Sequence, residues 1–250
     1  MARAGVASRR AADVLIASGA VRVNGRVPPA SGLLIEPDAD RVTVDGEPVE
    51  PLKLHHYLAV HKPVGVLVTA RDPQGRPTVF DLIQGASLPR LFAVGRLDGA
   101  TSGLLLLTDD GELANRLAHP RHKVAKEYLA VVRGEPAERD LRKLREGVLL
   151  DEGRTLPAEV ELVRSARGLS TIRLVIREGR NRQVRRMLEA VGHPVRELTR
   201  TAFGPVRLGR LRPAGWRRLS LAEVSALREA AGVVPASGAA GTSQLVEAGR

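Results

Sequence analysis

The sequence predicts an α+β fold, because strand patterns outnumber helical ones and no internal repeat is present. The chain has 250 residues, of which 43% are hydrophobic. This length suits one large domain, or a small domain followed by a medium one. Only 2% of the residues are aromatic, so the core must consist mainly of leucine, valine, alanine and isoleucine.

Residues 1–50 are predicted to form a small α/β module. Ser8 is expected to cap a helix that stops at Gly19. Within this helix, Val14 and Leu15 are expected to lie on the apolar side.

Two turn dipeptides follow the first helix. Asn24-Gly25 predicts a hairpin within AVRVNGRV, and Asp45-Gly46 predicts a second short strand pair. Residues 51–56 are interpreted as a linker to the next domain.

A second, larger domain is predicted over residues 57–231. Its first part, YLAVHKPVGVLVTA, is interpreted as two strands around Lys62-Pro63, and RDPQGRPTVFDLI as a loop that leads into a short helix. Further strands are expected at 92–95 and 104–107. The other elements are expected in this order: a helix in DDGELANRLAHP, a strand in KEYLAVVRG, a helix in AERDLRKLREGV, a strand in TIRLVIREGR, a helix in NRQVRRMLEAVG and a helix in SLAEVSALREA. Residues 232–250 have few bulky side chains and are predicted to be disordered.

The positive charge is concentrated in one segment. The net charge is +11, and residues 164–218 contain fifteen arginines, no lysine and three acids. Residues 1–30 add five arginines and one aspartate. A surplus of arginine with so few acids favours a polyanionic partner, and nucleic acid is the obvious candidate.

Several classes of protein are disfavoured by composition. The chain has no cysteine, which removes disulfides, thiolate catalysis and thiolate metal ligands. No apolar run approaches the roughly 20 residues that span a bilayer, and MARAGVASRR lacks the apolar centre of a signal peptide. We therefore expect a soluble, cytoplasmic protein without a membrane partner.

The first candidate for chemistry is Asp98, which lies in the glycine-flanked turn of GRLDGATSGLLLL. The ordinary interpretation is a turn residue between two strands. Arg96, Thr101 and Ser102 beside it, and rigid apolar strands on both sides, favour instead a carboxylate held for catalysis. A nearby arginine would keep Asp98 ionised and able to act as a nucleophile.

A metal site is the weaker alternative for these acids. Asp109 and Asp110 could join Asp98 as ligands, but they are better placed to cap the helix that follows them. The six histidines show no metal-binding spacing. We therefore expect no metal.

Two further segments admit two interpretations each. The helix in REGRNRQVRRMLEAVG can be a solvated amphipathic helix, with Arg182, Arg185 and Glu189 opposite an apolar stripe. Its N-terminus after a strand and a glycine is also a suitable anion site, and phosphate contact is favoured. Tyr128, in KEYLAVV, can be a core residue, or can stack on a base that has left its helix.

Taken in order, GRLDGATSGLLLLTDDGELANRLAHP, KEY and EGRNRQVRRMLEAVGHPV resemble the three signature regions of ribosomal RNA pseudouridine synthases of the RsuA/RluB-like subgroup. MARAGVASRRAADVLIASGAVRVNGRV resembles the alpha-L RNA-binding module that precedes their catalytic domain. The resemblance covers nearly the whole chain to about residue 228, and DPQGRPTVFDLI is closer to the large-subunit branch. It implies a catalytic domain built on a mixed, mainly antiparallel sheet with a central cleft.

The resemblance also implies roles for individual residues. Asp98 would attack the target uridine, at C1′ of the ribose or at the base. Tyr128 would pack on the flipped base and assist deprotonation at C5, and Arg185 would form an ion pair that positions Asp98. Arg96 would fill the gap that the uridine leaves in the RNA stack. The other RNA-binding residues would be Thr101, Lys126, Arg180, Arg182, Gln183, Arg9, Arg10, Asn24 and Arg26.

This reaction rearranges a single nucleotide, so the resemblance implies no cofactor. The partner would be ribosomal RNA, free or in an assembling subunit, and the protein would be a monomer. The alternative is an RNA-binding or ribosome-assembly protein without activity, which would leave the Asp98 turn unexplained.

Overall fold

The computed structural model describes residues 1, 4, 6–7, 9–29, 32–36, 40–49, 55–84 and 87–233. The helices within these residues are α1 (Arg9–Ala17), α2 (Gly111–Ala118), α3 (Glu138–Glu146), α4 (Gln183–Ala190) and α5 (Leu221–Ala230). The strands are β1 (Val21–Val23), β2 (Val42–Val44), β3 (Glu47–Pro48), β4 (Tyr57–Lys62), β5 (Phe92–Ala93), β6 (Ser102–Thr108), β7 (Lys126–Arg133), β8 (Leu149–Leu150), β9 (Gly153–Arg154), β10 (Glu159–Ala166), β11 (Leu169–Ile176), β12 (Val195–Phe203), β13 (Val206–Arg207) and β14 (Trp216–Arg218). Short 3₁₀ turns lie at Asp81–Ile83 and Pro120–His122. The predicted α+β class is confirmed.

The N-terminal strands form a small antiparallel sheet in the order β1-β2-β3. The hairpin around Asp45-Gly46 is confirmed, with both residues at positive φ. The hairpin expected around Asn24-Gly25 is not: the turn forms, but its return strand is a single bridge between Val23 and Arg26. Strand β1 instead pairs with β2 over three residues, which is the longer ladder.

Helix α1 buries its apolar side only partly as the sequence indicated. Val14 is 67% exposed, whereas Ala12 is buried and Leu15 is half-buried. Val14 comes two residues after Ala12, so its side chain points about 200° around the helix from that of Ala12, toward solvent. The expected cap, Ser8, lies outside the described residues.

A mixed sheet of nine strands forms the centre of the larger domain. Its main path is β10-β11-β7-β12-β6-β4-β14, with β13 on β12 and β5 on β6. The pair β6–β12 is parallel and the other pairs are antiparallel. A mixed, mainly antiparallel sheet is thus confirmed.

The parallel pair depends on a glycine. Gly103 of β6 lies opposite Arg200 of β12 and has φ +111°. A Cβ atom added there would lie 2.5 Å from Arg200 N and closer still to Arg200 O. The two antiparallel blocks can therefore meet at this point only if residue 103 has no side chain.

Strand β6 is buried on both faces. Leu105 and Leu107 belong to one core cluster, whereas Leu104 and Leu106 belong to a second one. The first cluster includes residues of α3 and α4, and the second includes residues of α2 and α5. Four consecutive leucines therefore indicate a strand between two helical layers, and an alternating pattern is absent for that reason.

The expected second strand after Lys62-Pro63 does not form. Lys62 Nζ donates to the carbonyl oxygens of Pro63 (3.0 Å) and Val66 (2.7 Å), which curls the chain around the amine. The segment then contributes a single parallel bridge, from Leu67 to Thr78.

The predicted domain ends lie only partly within the described residues. Residues 51–54 of the expected linker and residues 234–250 of the expected tail fall outside them. His55 and His56, placed in the linker, both hydrogen-bond to Asp109. Val233, placed in the tail, packs against the second core cluster. None of the described helices is long and apolar enough to cross a membrane.

We predict that Gly103→Ala strongly destabilises the fold. The added methyl group would collide with backbone at Arg200, and the positive φ adds strain, for an expected loss of about 2–4 kcal/mol in the free energy of unfolding. Denaturant unfolding measures it. The control is Gly153→Ala, because Gly153 has φ +102° with open space around its Cβ position. Equal losses at the two sites would show that close packing at residue 103 is unimportant.

Candidate active site

Asp98 opens a tight turn that the protein holds by its backbone. Thr101 N donates to Asp98 O at 3.0 Å, and Gly65 N donates to Gly99 O at 2.8 Å. Leu97, immediately before the turn, is 6% exposed, and Thr101, immediately after it, is 2% exposed. The turn is thus anchored at both ends, and Asp98 itself is half-buried between them.

Arg185 of α4 supports the same turn from behind. Its Nη2 donates to Ala100 O at 2.8 Å and its Nη1 to Val195 O at 3.3 Å. The expected ion pair with Asp98 is therefore replaced in this structure by contact with the backbone of the turn. Burial lowers the pKa of Arg185, and the nearby positive charge of Arg182 lowers it further. The negative charge of Asp98 has the opposite effect. Arg185 is 9% exposed, so the interpretation of its helix face as merely solvated does not hold for this residue.

A cleft of about 320 Å³ opens beside the turn. Of the charged residues that line it, five are basic and one, Asp98, is acidic. The cleft brings together eight of the residues singled out in the sequence, namely Arg96, Asp98, Thr101, Lys126, Tyr128, Arg180, Arg182 and Gln183. A cleft with this excess of positive charge suits an anionic ligand.

Tyr128 is a core residue that also lines the cleft. It is 8% exposed and belongs to the first core cluster, and it also lines the cleft. On β7 it lies between Leu174 of β11 and Arg200 of β12. Packing in the first core cluster holds the Tyr128 ring in place, and the part of the residue that lines the cleft stays accessible.

The segment before α4 builds one wall of the cleft mainly through contacts within the protein. Arg180 donates to the carbonyl oxygens of Gly153 and Arg154 and to Glu178. Gln183 is buried, donates to Glu178 Oε1 at 2.6 Å and accepts from Arg180 N at 3.0 Å.

Arg182 differs from its neighbours in this wall. Its side chain is exposed, and it stands at the start of α4 with φ +47°. Its guanidinium has no acidic partner within the part of the chain that the structure describes.

Two buried lysines lie near the turn. Lys126 Nζ donates to Val124 O at 3.0 Å and lies 5.4 Å from the centroid of the Phe203 ring. Burial, together with the nearby charge of Arg200, lowers the pKa of Lys126 to about 8. Burial also lowers the pKa of Lys62 to about 8, and the charge of Asp98 partly opposes this.

Arg200 is a cleft residue that the sequence analysis did not single out. It is 2% exposed, its Nε donates to Leu104 O at 2.7 Å, and its guanidinium carbon lies 5.1 Å from the centroid of the Phe203 ring. The signal was present, because Leu198, Arg200 and Ala202 alternate along β12 and all three are buried. An arginine at an inward position of a strand indicates either a buried ion pair or a site.

The carboxylates considered as metal ligands have other partners. Asp109 accepts from His56 N at 2.8 Å and lies within hydrogen-bond distance of both histidine rings. Asp110 caps α2 through Leu113 N and accepts from the Tyr57 hydroxyl at 2.8 Å. No group of three or more potential metal ligands occurs among the residues with described positions. Asp109 and Asp110, the two carboxylates that could have joined Asp98 as metal ligands, are thus engaged by other groups of the protein.

The RNA-binding residues expected in the N-terminal module are partly described. Arg10 and Arg26 are exposed. The Asn24 amide donates to Asp40 at 2.7 Å and accepts from Arg41 N at 2.9 Å, so it shapes the turn. The side chain of Arg9 lies outside the described part of the structure.

Comparison with known proteins gives a consistent result. Residues 56–190 match the family model described as RNA pseudouridylate synthase, and residues 1–27 match the S4 domain. A protein of Bacillus subtilis named ribosomal large subunit pseudouridine synthase B is 45% identical over 231 residues, which cover 91% of this chain and 93% of that protein. An Aquifex aeolicus protein named as an uncharacterized RNA pseudouridine synthase is 43% identical over 93% of each chain.

The fold agrees as well. A crystal structure of a pseudouridylate synthase superposes with a TM-score of 0.66 at 30% identity, over 88% of this chain and 94% of that one. With the family model matching more than half of the chain, and with relatives aligned over almost all of it, the chain belongs to the RNA pseudouridylate synthase family.

Proposed function

We propose that this protein converts one uridine of large-subunit ribosomal RNA into pseudouridine, and that Asp98 is the catalytic aspartate. The observation that carries the proposal is the cleft, where a single carboxylate on a rigid turn is surrounded by five basic residues and Tyr128. The relative from Bacillus subtilis is named as a large-subunit enzyme, and DPQGRPTVFDLI resembles that branch. Both support the large subunit as the substrate.

The chemistry suits such a cleft. The reaction breaks the bond between C1′ and N1, turns the uracil and joins C1′ to C5, so it is an isomerisation without net oxidation or group transfer. A nucleotide must leave the RNA helix to reach Asp98, and such extrusion is aided by aromatic contact with the flipped base. Tyr128 supplies that contact and assists removal of the C5 proton, whereas Asp98 attacks either C1′ or the base.

The remaining residues act through position and charge. Arg185 holds the Asp98 turn through Ala100 O, which is a positioning role. Arg96, exposed beside the cleft, occupies the place of the flipped uridine in the RNA. Lys126 and Arg182 attract phosphate, and Arg180 and Gln183 shape the wall that the RNA meets.

We assign RNA docking to residues 1–50, with Arg9, Arg10, Asn24 and Arg26 as contacts, and catalysis to residues 57–231. The match of residues 1–27 to the S4 domain supports this division. We further propose that the protein works as a monomer in the cytoplasm, where ribosomal RNA is made and assembled.

A ribosome-assembly role without chemistry is the second candidate, because the positive charge alone would support it. The two candidates differ at Asp98, since a pure binder does not need a carboxylate in a positively charged cleft.

We predict that deletion of the gene leaves one large-subunit uridine unmodified. A pseudouridine map of ribosomal RNA measures this, with complementation by the wild type, by Asp98→Asn and by Asp151→Asn. Asp151 is 99% exposed and outside the cleft, so its variant should restore the modification, whereas Asp98→Asn should not. A map that is unchanged by the deletion would overturn the proposed function in favour of the binding role.

RNA affinity should fall steeply with salt, because each arginine–phosphate contact releases counterions. Arg182→Ala should lower the slope of log affinity against log salt by about 1. The control is Arg139→Ala, since Arg139 is 83% exposed but lies on α3 outside the cleft. Filter binding across a salt series gives both slopes. A flat response in the wild type would contradict phosphate binding in the cleft.

RNA affinity should also fall as the pH rises through about 8, the lowered pKa of Lys126. Below that pH the amine is charged and attracts phosphate, and above it the charge is lost. Lys126→Arg keeps its charge, so affinity measured from neutral to alkaline pH should vary less for this variant. If both proteins lose affinity in parallel, the pH dependence arises elsewhere.

A further inference from the structure

The described residues contain three buried side-chain polar atoms without a hydrogen-bond partner, and all three lie around one turn. They are Thr101 Oγ1, Arg185 Nε and Arg200 Nη2. Thr101 closes the Asp98 turn, Arg185 holds it from behind, and Arg200 is paired with Gly103 just beyond it. Buried polar groups in folded proteins are nearly always paired, because an unpaired one costs free energy. Concentration of such atoms at one place indicates that a ligand pairs those that belong to the cleft wall.

Two of these atoms belong to residues of the cleft wall. Thr101 and Arg200 line the cleft, and each is 2% exposed. Thr101 N is already bonded to Asp98 O, and Arg200 Nε to Leu104 O. The hydroxyl of Thr101 and Nη2 of Arg200 are the groups that remain for a ligand.

The chemistry of this pair fits a uracil ring. A guanidinium nitrogen only donates, and a hydroxyl donates or accepts. Uracil carries two carbonyl oxygens that accept and an N3–H that donates. A phosphate, which only accepts, would be met equally well by the exposed Arg182, so it does not explain why two buried groups are unpaired.

We propose that Arg200 and Thr101 bind the uracil ring of the flipped uridine. Arg200 Nη2 donates to one uracil carbonyl oxygen, and the Thr101 hydroxyl pairs with the polar edge of the same ring. The inference rests on the proposed function, since it requires a uridine in the cleft.

The interaction strengthens during the reaction. In the route where Asp98 attacks C1′, a bond from the Asp98 carboxylate to C1′ forms as the bond between C1′ and N1 breaks, and the electron pair stays on the uracil and spreads onto the two carbonyl oxygens. C5 then bonds to C1′ as the bond to Asp98 breaks, which returns the carboxylate, and C5 loses its proton while N1 gains one. A fixed cation that donates to a carbonyl oxygen stabilises the negative ring more than the neutral one, so it accelerates the reaction more than it tightens binding.

Thr101→Val tests the hydroxyl. We expect single-turnover conversion of an RNA hairpin with the mapped uridine to slow by about tenfold, with RNA affinity and thermal stability unchanged or stability raised. The matched control is Thr155→Val: Thr155 is 3% exposed, and its hydroxyl accepts from Val148 N at 2.9 Å outside the cleft. This control should lose stability and keep the wild-type rate.

Modified RNA tests the Arg200 contact first in the wild-type protein. Hairpins with 2-thiouridine or 4-thiouridine at the target replace one carbonyl oxygen by sulfur, a poorer acceptor. One of the two should slow the wild type by about tenfold, and should slow Arg200→Met by much less, because methionine has no donor for that oxygen.

The possible results distinguish failure of the uracil contacts from failure of the proposed function. Wild-type protein that forms no pseudouridine in any ribosomal RNA would overturn both. Active wild type with Thr101→Val at the same rate, or with both thiouridines converted as fast as uridine, would overturn the uracil contacts alone. A rate loss in Thr101→Val that matches a loss of stability would show a structural role and also overturn them.

Discussion

The close contact between Gly103 and the backbone of Arg200 is the constraint on which the rest of the larger domain depends. It allows the parallel pair β6–β12, and this pair joins two antiparallel blocks of strands into one sheet. Because β6 begins just after the Asp98 turn, the same contact fixes where the turn emerges. It also places Arg200 beside the turn. One missing side chain thus sets the positions of a carboxylate and a guanidinium that are about one hundred residues apart in sequence.

The turn is held almost entirely through main-chain groups. Gly65 bonds to Gly99, Thr101 to Asp98 O and Arg185 to Ala100 O. None of these bonds uses the Asp98 carboxylate. A catalytic group needs a rigid position and free functional atoms, and support through the backbone supplies the first without consuming the second. The indirect contact of Arg185 is therefore consistent with a positioning role, although the sequence suggested a direct ion pair.

Much of the fold was predictable because local patterns agree with tertiary contacts. The Asp110 cap, the buried stripe of α4 and the Asp45-Gly46 hairpin all follow from short-range rules. Errors arose where a distant partner decided the outcome. Strand β1 formed its ladder with β2, so Val23 made only a single bridge to Arg26 across its own turn. The amine of Lys62 curled a segment that resembled a strand. For the site, motif resemblance pointed to Asp98, Tyr128 and Arg185. The alternation along β12 indicated that Arg200 is buried, but not that it lines the cleft, because the cleft is formed by strands that are far apart in sequence.

Strand β6 has helices over both of its faces, which restricts how the protein can vary. Leu104 to Leu107 have no position that meets solvent, so nearly every substitution there alters packing on one side or the other. The sheet edge at β10 is the opposite case, since most of its residues are exposed. Substitutions along that edge therefore cost little in folding, whereas substitutions in β6 disturb the packing directly behind the Asp98 turn. The sheet thus combines an edge strand that tolerates change with a central strand that does not.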